Sequence, residues 1–316
     1  MADEEEEKQI EYLSDGEVFR RNAFILITTM VDLNNLTRQD TSMLVDEILH
    51  CLFFLGLINS PPFSPRNLLG DDDDTLEYLE NEYPEPFRLY STQLPRRSPF
   101  SCLLDMVVRL YGQEKEDLIK DRLQTVVLQM KERTSSQILF SSTICVSQMC
   151  DSCRYYGVSM STRGRPAGEI LVAASCFGYW HRLASDAVMT YYPDKQKKLY
   201  FSRNIQLPSN VKCEAFNISE GRPMDPCRSC SDLFGLNTTE RKRWAHGGCA
   251  EVESLSNLFK EESQVMEQLR PEENVPEENR RRAKMRVFNY LKQELKKFDK
   301  FKWDGKIYPD LNPNKI

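Results

Sequence analysis

Three thiols, an imidazole and a carboxylate lie close together in the stretch from residue 223 to residue 259. They belong to Cys227, Cys230, His246, Cys249 and Glu251. Pro226 precedes Cys227 and suits the first position of a helix, because its missing N–H costs nothing there. Two glycines precede Cys249, and the apolar residues that follow it recur at helical spacing, which predicts a second helix. Thiolates near a helix N-terminus are electrostatically favoured, so two such helix ends could converge on a cation.

Two short motifs within this stretch carry a resemblance to a known family. They are Pro226-Cys227-x-x-Cys230 and Cys249-Ala250-Glu251. Together they resemble the signature of the zinc-dependent cytidine deaminase-like superfamily, in which a His or Cys and the two Cys of a P-C-x-x-C motif hold zinc. The two motifs stand here in the reverse of the usual order, and a permuted core is expected to bring the same helix ends together. The resemblance covers about residues 155–260.

The resemblance implies an open zinc site. Its three ligands would be Cys227, Cys230 and Cys249, and water would take the fourth position. Zinc bound in this way lowers the pKa of the water towards neutrality. The same resemblance implies that Glu251 is the catalytic residue, which takes the proton of the water and passes it to the base and to the leaving ammonia. The expected reaction is hydrolytic deamination of a cytosine-type base, in a free base, a nucleoside or a nucleic acid.

The same residues also fit a closed structural zinc site. Two cysteines, a spacer of fifteen residues, His246 and then Cys249 make an acceptable Cys₃His ligand set. In this alternative His246 takes the position that water would occupy. Glu251 is then an acid at a helix start, where the helix dipole favours it. The chain would be a non-catalytic protein-interaction module.

Composition and hydrophobic periodicity divide the chain into four parts. Residues 1–16 are acidic and are expected to form a disordered tail. Residues 17–135 have helical periodicity and predict an all-helical module that could bind a protein partner. Residues 136–260 are expected to form the zinc-binding domain, and residues 261–316 a basic C-terminal helix and tail. The predicted fold class is α/β, a three-layer deaminase-like sheet flanked by helices, behind an all-helical N-terminal module.

The individual elements follow from the same patterns. Helices are predicted at residues 17–36, 41–58, 102–111, 118–130 and 280–298. Strands are predicted at residues 169–177, 186–192 and 198–207, and residues 138–146 are also β-rich, although they could continue as a helix. The basic face of the last helix could bind nucleic acid, although a helix packed by its apolar stripe is the favoured interpretation.

The overall composition narrows the partners and the compartment. A net charge of −6 and an apolar content of 40% describe a globular protein and argue against a general nucleic-acid-coating role. The sequence contains no signal peptide and no apolar segment of membrane-spanning length, so we expect no membrane partner and a location in the cytosol or nucleus. Ten cysteines in a reducing compartment indicate metal or catalytic sites rather than disulfides. Cys150 and Cys153 could join Cys227 and Cys230 in a Cys₄ zinc site, although buried or partly buried structural cysteines are the favoured interpretation.

Overall fold

A small antiparallel sheet lies between helices in this protein. The computed structural model describes residues 2–70, 72–132, 136–150, 152–162, 164–193, 196–198, 200–201, 205–269 and 277–309, with side chains from residue 15 onward. Within these residues the helices are α1 (Ala2–Leu36), α2 (Ser42–Leu57), α3 (Pro65–Leu69), α4 (Asp73–Glu82), α5 (Pro84–Leu89), α6 (Pro99–Tyr111), α7 (Glu116–Lys131), α8 (Gly164–Gly178), α9 (Arg182–Tyr191), α10 (Arg228–Phe234), α11 (Ala250–Glu261), α12 (Ser263–Leu269) and α13 (Glu277–Leu295). The strands are β1 (Leu94–Pro95), β2 (Thr143–Met149), β3 (Tyr155–Val158), β4 (Val211–Asn217), β5 (Pro223–Met224) and β6 (Ile307–Tyr308).

The helices predicted in the N-terminal part and at the C-terminus are confirmed as α1, α2, α6, α7 and α13. α1 begins at Ala2 and so includes the acidic residues that the sequence predicts as a disordered tail. α6 begins where its sequence dictates, because the Ser98 side chain accepts a hydrogen bond from the N–H of Ser101 and Pro99 takes the first helical position. α13 buries the predicted apolar stripe at Val287, Leu291 and Leu295, in agreement with the packed-helix interpretation.

The larger sheet has four strands in the order β3-β2-β4-β5, and every neighbouring pair is antiparallel. β2 is central, so that Ile144 pairs with Val158 on one side and with Phe216 on the other. β2 overlaps the β-rich residues 138–146 and begins at Thr143.

The strands predicted elsewhere are wrong. Residues 169–177 and 186–192 lie in or directly beside the helices α8 and α9, and the described residues of 198–207 contain no strand. α8 is buried along almost its whole length, and an uninterrupted apolar run fits a buried helix as well as a strand. The strands β3, β4 and β5 instead lie at positions where the sequence analysis predicts none.

Helices cover both faces of the four-stranded sheet. On one face α11 lies directly against β2, β3 and β4. Gly157 permits this approach, because a Cβ there would lie 2.6 Å from Ala250 O and closer still to Ser254 N. On the other face Tyr156 Oη donates to Gln113 O at 2.8 Å, and Lys120 of α7 lies over the ring of Phe216. The sheet is therefore the middle of three layers.

The buried apolar residues form a continuous core from Phe19 in α1 to Ile307 in β6. This core crosses residue 135, where the sequence predicts a boundary between the helical module and the α/β domain. The parallel pairing of β1 with β6 joins Leu94 to Ile307 and so links the N-terminal helices to the C-terminal segment. The N-terminal helices and the C-terminal segment thus belong to the same core.

Candidate metal centre

Three cysteine sulfurs meet at one point of the structure. The Sγ atom of Cys227 lies 3.7 Å from that of Cys230 and 3.4 Å from that of Cys249. All three sulfurs lie within 4.8 Å of one another, and among the described residues this is the group of metal-binding side chains that is close enough to hold an ion. The structure brings together the three residues that the sequence predicts as ligands.

Two helix N-termini position these cysteines. Cys227 is the N-cap of α10 and Cys249 is the N-cap of α11. Cys230 lies in the first turn of α10, where its N–H donates to Cys227 O at 3.1 Å. Pro226 stands one residue before the N-cap and not at the first helical position, so the helix begins slightly later than its sequence predicts. The positive ends of both helix dipoles point to the sulfurs, which favours thiolate.

The geometry and chemistry of this cluster fit a metal ion. Sulfur ligands at about 2.3 Å from a tetrahedral ion lie about 3.8 Å from one another, close to the distances observed here. Hydrogen bonds with Cys230 and Cys249 lower the pKa of the Cys227 thiol to about 2, which favours its thiolate form. The hydrogen bonds to Cys227 raise the pKa values of the other two thiols. Soft sulfur donors of this kind select zinc, copper(I) or iron–sulfur clusters rather than magnesium or calcium.

A cavity of about 900 Å³ borders this cluster, and we call it the cysteine cavity. Cys227 and Cys249 line it, whereas Cys230 is fully buried behind them. Its volume is at the upper end of the range of about 300 to 1,000 Å³ that small-molecule sites occupy. A metal ion held by the three sulfurs would therefore be accessible to a small molecule in the cavity.

Glu251 lies in the first turn of α11, lines the cysteine cavity and is only 5% exposed. Burial raises the pKa of its carboxyl group, and the negative charge of Cys227 raises it further. Glu253, two residues later on the same helix, has a different environment. It accepts hydrogen bonds from Val158 N at 2.9 Å and from the Ser101 hydroxyl, and so ties α11 to β3 and α6. Burial raises the pKa of both acids, but only Glu251 lines the cysteine cavity, so it is the one that a molecule in the cavity could contact.

His246 lies beside the cysteine cavity but not in the cluster of sulfurs. Its ring stacks on Tyr191 with the ring centroids 4.0 Å apart, and its Nε2 atom lies 3.5 Å from Asp232 Oδ2. Burial lowers the pKa of His246, which favours the neutral imidazole. Neither of its ring nitrogens makes a hydrogen bond to another described residue. The structure thus places His246 where it could contact a molecule in the cavity.

The second C-x-x-C pair lies elsewhere. Cys150 and Cys153 are both exposed, so the favoured interpretation of buried or partly buried cysteines is wrong. They are also absent from the group of ligands that lie close together in the described structure, so they do not join Cys227 and Cys230 in a Cys₄ site. Both cysteines lie in the connection between β2 and β3.

Several cavity residues lie outside the stretch that the sequence analysis selects. Arg165, Glu169, Tyr191, Tyr192 and Trp244 all line the cysteine cavity. The first four are brought there by α8 and α9, which the sequence analysis predicts as strands. Trp244 follows Arg241, Lys242 and Arg243, and an aromatic residue in a basic run next to a metal ligand is a signal that could identify it.

Comparison with known proteins returns no match for this chain among family models, curated proteins or solved structures. In the described part of the chain, every helix is too short or too polar to cross a membrane. Function therefore has to be inferred from the geometry of the cysteine cavity.

Proposed function

We propose that this chain is a zinc-dependent hydrolytic deaminase of cytosine-type bases with a permuted deaminase-like core. One observation carries the proposal: three cysteine sulfurs are spaced like metal ligands, two of these cysteines, Cys227 and Cys249, line a cavity, and the buried carboxyl group of Glu251 lines the same cavity. The two motif helices also begin at this cavity, and α11 lies on the central sheet. These are the parts that the resemblance requires, although the chain connects them in a different order.

The ligands of the ion would be Cys227, Cys230 and Cys249. When bound there, a zinc ion would act as a Lewis acid and would make water a better nucleophile at neutral pH. Thiolates are the preferred donors for such an ion, and the two helix dipoles favour the deprotonated cysteines.

Glu251 would transfer protons in this reaction. In hydrolytic deamination a bond forms between the water oxygen and the ring carbon, and the bond from that carbon to the amino nitrogen breaks, so that ammonia leaves. Protons move from the water to the ring nitrogen and to the amino group. Burial raises the pKa of Glu251, which lines the cavity, and a raised pKa suits a carboxyl group to accepting and returning a proton.

The alternative of a closed Cys₃His site has less support. His246 would have to supply the fourth ligand, but its ring is held flat against Tyr191 and its Nε2 atom faces Asp232. An interaction module with a structural ion also has no need of a buried carboxyl group in the wall of a large cavity.

Glu251→Gln tests the proposal, with Glu253→Gln as its matched control. Both variants remove one buried carboxylate from α11, but only Glu251 lines the cysteine cavity. We expect Glu251→Gln to reduce ammonia release from cytidine, deoxycytidine monophosphate or cytosine-containing oligonucleotides by at least about a hundredfold. Metal content should remain unchanged, because the three sulfurs are intact. Glu253→Gln should retain activity, because the glutamine oxygen can still accept the hydrogen bond from Val158 N.

The outcomes separate the two functions. Zinc-loaded wild-type protein that releases no ammonia from any of these substrates would contradict the deaminase. Equal loss of activity in both variants would show that Glu251 has no specific role.

A further inference from the structure

A second cavity, of about 630 Å³, adjoins the cysteine cavity, and we call it the arginine groove. Arg281, Arg282 and Arg286 of α13 line it. Pro193 lines both cavities. The ring of Tyr192 in the cysteine cavity also contacts the ring of Tyr290 in the arginine groove, with the centroids 5.6 Å apart. The two spaces therefore share a wall.

An exposed aromatic residue marks another part of the cysteine cavity's lining. Trp244 lines the cavity and is 52% exposed, which is unusual for so large an apolar side chain. Lys242 Nζ lies 3.7 Å from the centre of its ring, and Arg241 on the same loop is exposed. The surroundings of the cavity thus include a flat apolar surface next to positive charge.

Two of the acidic groups near these cations, Glu169 and Glu278, leave the arginines of the groove able to bind an anion, whereas Asp232 pairs with Arg243 and Asp225 lines the cysteine cavity. Glu169 is occupied by Arg165 Nε at 2.7 Å and by the hydroxyl of Tyr290 at 2.6 Å. Glu278 pairs with Arg281 at 3.0 Å, but both side chains are more than half exposed. An exposed pair of this kind contributes little free energy, so the arginine can exchange its carboxylate for a phosphate.

We propose that the substrate base belongs to a single-stranded nucleic acid that lies across the shared wall. The target base enters the cysteine cavity, a neighbouring base stacks on Trp244, and phosphates contact Arg281, Arg282 and Arg286. The identity of the target base rests on the proposed deaminase function. The surface itself is argued from charge and shape.

Single strands suit this surface for physical reasons. A base inside a duplex cannot reach a buried carboxyl group, whereas a single strand can place one base in a cavity without breaking pairs. Aromatic side chains stack on any base, and arginine binds phosphate through two parallel hydrogen bonds. A free nucleoside would bind in the buried part of the site. It would contact neither Trp244, which lies outside that part, nor the arginines of the groove.

The test measures binding separately from turnover. Full-length Glu251→Gln protein is titrated into fluorescein-labelled single strands of about 12 nucleotides, the length range of known single-strand sites. DNA and RNA strands, each with one central cytosine, are compared with the matching duplexes and with polyglutamate across a range of KCl concentrations. If Glu251→Gln does not fold, the same titration is made with wild-type protein and strands that contain only thymine or uracil. These bases have no amino group to remove, so the wild type cannot turn them over.

Three variants then locate the surface. Arg281→Ala combined with Arg282→Ala should weaken binding at least about tenfold and reduce the slope of log K against log[salt] by about 1.4, because each lost phosphate contact changes that slope by about 0.7. Trp244→Ala should weaken binding about tenfold and leave the slope unchanged, since stacking releases no counterions. The control is Arg66→Ala combined with Arg88→Ala, two exposed arginines in surface ion pairs outside both cavities, and it should change neither quantity.

Tighter binding of RNA than of DNA strands, or the reverse, would support the proposal and show which sugar the surface prefers. Duplex binding as tight as single-strand binding would overturn it. So would equal binding to polyglutamate, or an equal effect of the control pair. Single-strand binding that follows these variants, without ammonia release by the wild type, would support the surface and count against the deaminase. Deamination of cytidine without any binding of single strands would support the deaminase and count against the surface.

Discussion

The Sγ atoms of Cys227 and Cys249 lie 3.4 Å apart, although 22 positions of sequence separate the two residues. Each cysteine is the N-cap of a different helix, so the contact depends on where α10 and α11 begin. With Cys230 in the first turn of α10, the three sulfurs have the spacing of ligands to one ion. His246 is close in sequence but is held by Tyr191 outside this group.

Metal content should therefore depend on the cysteines and not on the histidine. We expect the wild type and His246→Ala to retain a stoichiometric amount of zinc after dialysis, and Cys249→Ser to lose it, because a serine oxygen is a poor replacement for a thiolate. Elemental analysis measures the content, and X-ray absorption measures the ligands. A shell of three sulfurs and one light atom is expected in both metal-containing proteins.

The same pair of variants can contradict this expectation. Loss of zinc in His246→Ala, with a shell of three sulfurs and one imidazole nitrogen in the wild type, would establish the closed structural site. Retention of zinc in Cys249→Ser would show that the ion is bound elsewhere.

The local spacing of the ligands could be predicted from the sequence, because it depends on short motifs at helix starts. Pro226 and the two glycines before Cys249 mark those starts within a few residues. The contacts of His246 could not be predicted in this way. Its ring packs on Tyr191, which lies more than fifty positions away in a segment that the sequence analysis predicts as a strand.

The N-terminal helices could also be predicted, but the sheet could not. α7 has clear helical periodicity, since its buried residues recur every three or four positions, whereas α8 contains an uninterrupted apolar run that fits a buried helix as well as a strand. β4 alternates between partly buried and exposed residues at the edge of the described core and has a weak apolar signal. The secondary structure of both α8 and β4 depends on burial by distant parts of the chain, which the local sequence does not show.

Gly157→Ala should destabilise the protein and weaken the metal site together. The added Cβ would meet the backbone of α11 at Ala250 and Ser254, which cannot move as a flexible side chain can. We expect a loss of about 3 kcal/mol in the free energy of unfolding, the upper end of the usual cost of overpacking. Since α11 carries Cys249 and Glu251, zinc affinity should fall as well. Chemical denaturation and zinc titration with a competing chelator measure the two effects.

Gly16→Ala is the matched control for this substitution. Gly16 lies in α1, where an added Cβ would have Phe63 Cζ at 3.7 Å and Pro61 Cδ at 3.9 Å, both ordinary contacts. We expect it to stabilise the protein by about 0.5 to 1 kcal/mol, because alanine loses less backbone entropy in a helix than glycine. An equal loss of stability in both variants would contradict the close approach of α11 to β3.

Glu47 should make the stability of the protein sensitive to acid. Its carboxylate is buried in α2 and accepts hydrogen bonds from Arg96 Nε and Arg97 Nε, each at 2.9 Å. Burial alone would raise the pKa of Glu47, but the charges of Arg97 and Arg96 outweigh it and hold the pKa below its ordinary value of 4.5. A carboxyl group whose pKa is lower in the folded than in the unfolded state stabilises the fold above the unfolded pKa. This stabilisation is lost as the pH falls through the folded value.

Glu47→Gln should therefore cost about 3 to 5 kcal/mol at pH 7, because Arg97 stays buried without its counter-charge. The difference from the wild type should begin to shrink below about pH 4.5, where Glu47 becomes protonated in the unfolded wild type, and should fall further as the pH drops through the lower pKa of the folded state. Urea denaturation of both proteins between pH 7 and pH 3 measures the difference. Glu17→Gln, which removes an exposed ion pair with Arg20, should cost less than about 1 kcal/mol over the same range. A difference between Glu47→Gln and the wild type that stays constant with pH would mean that Glu47 does not act through its charge.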